Sequence, residues 1–401
     1  MKHLRKIPAV MFSQHPDHAS KPYWLNSSFI RTHQELEECY RMFKELGTEE
    51  MMWDWEGKLV DECVVEKLLG KYSDFFQNYP IGEKLFLTFR VPNPRVESGY
   101  RLGRAFMVIL SGQHLAYAAG FSSPPLFEVI IPMVENADEI YSVQKSFQQF
   151  SKVAANSFGS NGFGRNLEVI PTFESVETIL RSAKILKEYL KISKGQVWEK
   201  ISYLRPFCAR SDPALNSGIV PTTLAIKWAL SEYSKLAKET GVDVYPIIAP
   251  GVLPFRGGLS PENTNEFLRE FPGVKTVVIQ SAFRYDFPRD GVKSAIGLII
   301  RHAPKTESNI LPGRVLNEIK SIIPMFEGPY KKTVEKIAPL IEQISIHIPP
   351  RRERVQHIGL FGYSRAVGKV RLPRAIGFTA SCYSLGIPPR TNWYWEGNTT
   401  C

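Results

Sequence analysis

No stretch of this 401-residue chain approaches the roughly 20 consecutive apolar residues that a membrane span requires. The start, Met1-Lys-His-Leu-Arg-Lys-Ile-Pro8, is basic, but the apolar run after it is too short for a signal peptide. Cysteine is scarce. Cys39, Cys63, Cys208, Cys382 and Cys401 are dispersed, odd in number and without metal-type spacing, which excludes a disulfide framework and predicts reduced thiols in a cytoplasmic protein. Also missing are a low-complexity linker, a repeat of solenoid period, and the glycine-rich turn that would follow the first strand of a doubly wound dinucleotide-binding sheet.

What is present is a large hydrophobic fraction, 43%, ample for a core in one elaborated barrel or in two to three smaller domains. Apolar, strand-like runs stop repeatedly at a functional group. Leu85–Arg90 ends in a cation, Phe127–Glu135 in an acid, and Val169–Glu174 in a second acid. Arg205–Gly218 carries Asp212, and Val244–Gly251 leads into Leu253–Gly258. Thr276–Gln280 runs on to Phe283–Asp286, Ile296–Ile300 ends at Arg301, and Ile344–Ile348 precedes two prolines and two arginines. Between these runs lie stretches of helical period: 175–190, 222–240 and 330–343. Strands alternating with helices predict a parallel sheet. Polar groups gathered at strand ends predict a TIM-type (β/α)8 barrel with extra helices and the site at that face. The doubly wound open sheet is the competing architecture.

Glu174 and Asp212 would then stand at neighbouring strand ends, where two carboxylates suit a hard divalent cation such as Mg²⁺. The formal net charge is +10, part of it concentrated late, in Arg351, Arg352, Arg354, Arg365, Lys369, Arg371 and Arg374 against Glu353. Aromatics are not interleaved with these cations as stacking platforms, which argues against nucleic acid. Small, multiply charged anions fit the arginine fork better.

Several motifs resemble the archaeal-type phosphoenolpyruvate carboxylases over nearly the whole length, to about Pro389: Gln14–Asp17, Met52–Lys58, Phe89–Asn93, Arg205–Gly218, Gly251–Ser260 and Arg371–Ile376. The resemblance implies a lyase that joins phosphoenolpyruvate to bicarbonate, giving oxaloacetate and phosphate through carboxyphosphate and an enolate, with Mg²⁺ or Mn²⁺. It implies Glu174 and Asp212 as metal ligands, and His15, Arg256 and Arg374 as catalytic residues. Arg90, Arg256, Arg365, Arg374 and Arg284 are implied as substrate-binding. It also implies a cytoplasmic homotetramer with one catalytic barrel domain over 1–401 and neither nucleic-acid nor membrane partners.

Pro16 restricts His15 to extended backbone, which helps fix the ring. Arg210 reads as a structural ion-pair partner. The Trp53–Gly57 segment reads as packing, with Asp54 and Glu56 ordering neighbouring arginines. A second loop arginine present in the larger bacterial and plant enzymes is replaced here by Leu259-Ser-Pro-Glu262, so the bicarbonate contact falls to no residue. Residues 390–401 diverge from the family, whose members continue with further helices, so a shortened chain lacking C-terminal helices is expected. Two other readings stay open: another Mg²⁺-dependent phosphoenolpyruvate or enolate barrel lyase, and an inactive anion-binding remnant.

Overall fold

The computed structural model describes residues 5–27, 29–55, 58–97, 100–159, 166–195, 201–252, 258–348, 365–367, 370–373 and 375–386. Eight parallel strands close into a barrel in sequential order. They are β1 (Val10–Ser13), β2 (Glu50–Asp54), β3 (Phe86–Arg90), β4 (Glu128–Ile131), β5 (Glu168–Phe173), β6 (Phe207–Ala209), β7 (Ile247–Ala249) and β8 (Thr276–Ile279). β1 closes the ring by pairing with both β2 and β8. The expected (β/α)8 barrel is thus the fold, and the open sheet is excluded.

Strand alternation sorts the side chains into layers. Met11, Met52, Ile130, Ile170, Phe207, Ile247, Ala249 and Val278 meet as a separate apolar cluster inside the barrel. The intervening residues, such as Phe12 and Phe89, join the larger core between barrel and helices. Toward the N-terminal end the interior becomes ionic. Arg205 reaches Glu50 at 2.7 Å and Glu128 at 2.6 Å, with all three side chains essentially unexposed. Thr276 Oγ1 accepts from Arg205, Thr88 donates to Glu50, and Arg5 pairs with Glu128. This network is a plug: it fills the end of the barrel remote from the strand C-termini with charge that is paired rather than exposed.

Two expected strands are helices instead. Ile296–Arg301 lies within the helix Arg289–His302, whose buried Val292, Ala295, Ile296 and Ile299 follow helical spacing. A short apolar run does not distinguish the two states by itself. Ile344 and Ser345 end a 33-residue helix, Gly313–Ser345, with Pro324, Pro329 and Pro339 inside it. The helical stretch expected over 330–343 is part of that element. Those expected over 175–190 and 222–240 correspond to Val176–Ser193 and Ile219–Thr240. The first of these starts at Ser175, whose hydroxyl accepts from Thr178 N–H at 3.0 Å, a serine N-cap.

The late part of the chain forms a smaller unit. Leu215, Tyr330, Val334, Ala338, Ile341, Leu372, Phe378 and Cys382 make a second buried cluster. It joins the long helix to the helix Ala375–Ser384 and to an antiparallel hairpin, Arg365–Val367 with Val370–Leu372. No helix among the described residues is long and apolar enough to cross a membrane.

Candidate active site

Two residues beyond four members of the apolar layer, the same strand faces carry polar groups at the C-terminal mouth. Ser13 follows Met11, Asp54 follows Met52, Thr172 and Glu174 follow Ile170, and Gln280 follows Val278. The motif residues therefore converge because a period-two pattern crosses from apolar to polar at one level of the barrel.

Glu174 sits just past β5 and Asp212 just past β6, in the first turn of the helix Ser211–Ser217. The two strands pair directly, Phe173 against Cys208, so the two carboxylates leave adjacent strand ends as expected. Both are partly exposed. Glu174 Oε1 accepts the Met133 backbone N–H at 3.2 Å. A pair of this kind suits Mg²⁺, which is usually held by one or two carboxylates completed by water and substrate oxygens. No cluster of three or more His, Cys, Asp or Glu gathers among the described residues. Two further polar atoms lie at this level: Thr172 Oγ1 and Gln280 Oε1 are buried and meet no hydrogen-bond partner among the described residues. Burying such groups unpaired is costly, which fits a mouth lined for a polar ligand.

Arg90 ends β3 beside Asp54 of β2, and the two form a bidentate pair with Nε–Oδ1 at 2.8 Å and Nη2–Oδ2 at 2.5 Å. Asp54 is buried and Arg90 only partly so, so the fork is fixed in plane while its edge stays near solvent. This agrees with the reading that Asp54 orders a neighbouring arginine. Trp53 and Trp55 are fully buried, in agreement with a packing role. Glu56 lies outside the described residues.

His15 follows β1, and its Nδ1 is 2.9 Å from the Ser13 hydroxyl. The loop that carries it is well anchored. Asp17 Oδ1 accepts from Ala282 N–H, and Asp286 accepts from the backbone of Ala19 and Ser20. Arg284 was expected at the substrate, but it is 1% exposed. It donates to Glu38 at 2.9 Å, to Tyr285, to Ser281 and to the Ser13 carbonyl at 2.7 Å, with its guanidinium over the Phe12 ring. Phe12 faces the helices rather than the barrel interior, so Arg284 stiffens the wall behind Ser13 and His15 instead of lining the mouth.

Arg256 and Arg374 lie outside the described residues, as does the side chain of Arg365. The backbone of Arg365 opens the hairpin strand Arg365–Val367, which packs against the helix Ser211–Ser217. Arg210 is buried, and its Nη1 would be 1.4 Å from a Cβ at position 258, where φ is +118°. Only glycine suits that position, which lets the backbone of Gly258 lie against the Arg210 side chain at the end of β6. Sequence reasoning passed over Thr172 and Gln280. The signal that finds them is their place two residues beyond an inward-facing apolar side chain.

A family model described as phosphoenolpyruvate carboxylase matches residues 7–391. The phosphoenolpyruvate carboxylase of Leuconostoc mesenteroides is 40% identical over 391 residues, covering 96% of this chain and 77% of that one. The Metallosphaera sedula enzyme is 40% identical over 401 residues with the same coverage. That of Pyrococcus horikoshii is 38% identical over 398 residues, covering 96% of this chain and 81% of its own. Among solved structures, Haloferax volcanii malate synthase superposes with a TM-score of 0.45 at 12% identity, over 87% of this chain and 96% of that one. With a family match over residues 7–391 and relatives 38–40% identical over 96% of its length, the chain belongs to the archaeal-type phosphoenolpyruvate carboxylases.

Proposed function

We propose that this mouth carries out the family reaction, carboxylation of phosphoenolpyruvate by bicarbonate, with Glu174 and Asp212 holding the divalent cation. The observation that carries the reading is the placing of these two carboxylates just past adjacent strand ends, on the same C-terminal side of the barrel as the Asp54-clamped Arg90. The family generally uses Mg²⁺. When bound, the cation supplies Lewis acidity that offsets negative charge developing at the reacting centre.

The chain's own groups account for the rest. Arg90, pre-oriented by Asp54, presents a fixed cationic edge to the phosphoryl oxygens; Arg256, Arg365 and Arg374 are assigned to the same anion by the family resemblance. A bicarbonate oxygen attacks phosphorus, the bond from phosphorus to the enol oxygen breaks, and the enolate of pyruvate leaves. His15, held through Nδ1 by Ser13, takes the carboxyphosphate proton at its other ring nitrogen as the C–O bond to phosphate breaks and carbon dioxide is released. The enolate carbon then bonds to carbon dioxide and oxaloacetate forms. The apolar barrel layer beneath the mouth excludes water from below, which protects the enolate from protonation. The cytoplasmic homotetramer and the single catalytic domain implied by the resemblance belong to the same proposal.

Asp212→Asn keeps the shape and removes one of two charged ligands. Apparent Mg²⁺ affinity should fall by about tenfold or more. The test is oxaloacetate formation coupled to malate dehydrogenase across a Mg²⁺ titration, beside Mn²⁺ binding by electron paramagnetic resonance. Unchanged metal dependence in folded protein would remove Asp212 from the site.

A further inference from the structure

Met133 is the one non-glycine residue with positive φ among the described residues, at 54°. A long side chain in the left-handed region is strained, and strain of this kind persists only where the surroundings impose it. The surroundings here are specific. Met133 follows β4 at the mouth, and its N–H is the donor to Glu174 Oε1. Asn93, 1% exposed, donates through Nδ2 to the Pro132 carbonyl at 2.8 Å and to Glu139 Oε2 at 3.1 Å, with the Met133 carbonyl at 3.5 Å. Arg95 Nη2 donates to the same Met133 carbonyl at 2.7 Å, and the next residue, Val134, donates its N–H to Thr172 on β5 at 3.0 Å. Asn93 closes the Phe89–Asn93 motif, and no role in the reaction has so far fallen to it.

We infer that Asn93 is a positioning residue for the metal carboxylate. It clamps the 132–133 backbone in the left-handed turn that aims the Met133 amide at Glu174. The amide bond fixes one carboxylate oxygen and with it the rotation of the group about its last bond, which is what a ligand needs in order to be preorganised. The inference rests on Glu174 being a ligand, as proposed above. The turn is formed against its own conformational preference, so the hydrogen bonds to the two carbonyls are what maintain it. A glycine at 133 would adopt the same φ without help.

That difference provides the test. In the full chain, Asn93→Ala should weaken Mn²⁺ binding, read as free hexaaquo Mn²⁺ by electron paramagnetic resonance, by roughly 10-fold or more. Asn93→Leu, which keeps roughly the volume and loses the donors without adding charge, should do the same, and circular dichroism reports whether each variant is folded. Adding Met133→Gly to Asn93→Ala should recover most of the lost affinity, which a merely structural role for Asn93 would not allow. Wild-type Mn²⁺ affinity in both Asn93 variants would overturn the inference. So would a loss that Met133→Gly does not repair. Asp212→Asn measured alongside separates the two proposals: wild-type Mn²⁺ affinity there overturns the metal site itself, whereas a loss there with intact binding in the Asn93 variants overturns only the role of Asn93.

Discussion

His15→Asn should leave phosphoenolpyruvate binding nearly intact while oxaloacetate formation falls by about 10²- to 10⁴-fold, the usual range for a lost general acid–base group. The substitution removes the titrating ring while an amide of similar reach stays beside Ser13. A group needed only after the first transition state depresses turnover far more than affinity. Phosphate release should therefore continue without matching oxaloacetate, and the stranded enolate should be protonated to pyruvate. Measuring phosphate, pyruvate and oxaloacetate together distinguishes this from a simple loss of activity. Oxaloacetate at the parent rate would show His15 to be an ordinary loop histidine. The local structure supports the stronger outcome, because Ser13 is pinned from behind by Arg284 and the ring has little freedom to be replaced by water.

The second large effect lies at the opposite end of the barrel. Arg205→Ala leaves Glu50 and Glu128 buried without the cation that they share, and breaking a buried pair in this way costs about 3–5 kcal/mol. Chemical unfolding should show the loss as a shifted urea midpoint. A change below about 1 kcal/mol, the scale of a surface ion pair, would contradict the plug. The network also has a pH signature. Burial alone would raise the Glu128 carboxyl, but Arg205 and Arg5 outweigh it and hold it down at about 2. Its folded value thus lies below the unfolded value of about 4.3. Its contribution is complete above that unfolded value and fades as the pH falls toward 2. In Arg205→Ala that acid-side slope should shrink, because the carboxyl loses the cation that depresses it.

The architecture was legible because charge interrupts apolar runs at a repeated place. Glu174, Asp212 and Arg90 could be assigned to strand ends without coordinates, and the structure puts them there. The same cue is blind to direction. Arg205 and Asp212 share one motif, yet one begins the strand and plugs the bottom while the other follows it at the mouth. A residue number does not say on which side of an apolar triplet the chemistry lies. Arg284 misled for a different reason: an arginine after a strand is ordinarily a mouth residue, and here the buried Glu38 on the helix Thr32–Arg41, with the Ser13 carbonyl, draws it into the wall. Asn93 stood in a recognised motif without a role because its work is done through backbone carbonyls of another loop, and sequence carries no trace of such bonds. Ile296–Arg301 was ambiguous on length alone and needed its neighbours to be read as helix.

The 33-residue helix Gly313–Ser345 spans two cores. Leu316, Ile319 and Ile323 belong to the main core, whereas Tyr330, Val334, Ala338 and Ile341 belong to the smaller cluster. Pro324 and Pro329 fall at the changeover, and each removes an amide donor from the ladder. The helix is therefore a continuous rod with its weakest stitching where its allegiance changes. The outer portion packs with the hairpin and the helix Ala375–Ser384 around a cluster much smaller than the main core. Because Leu215 of that smaller cluster sits on the helix that bears Asp212, a substitution that loosens the cluster acts on the element that carries the carboxylate.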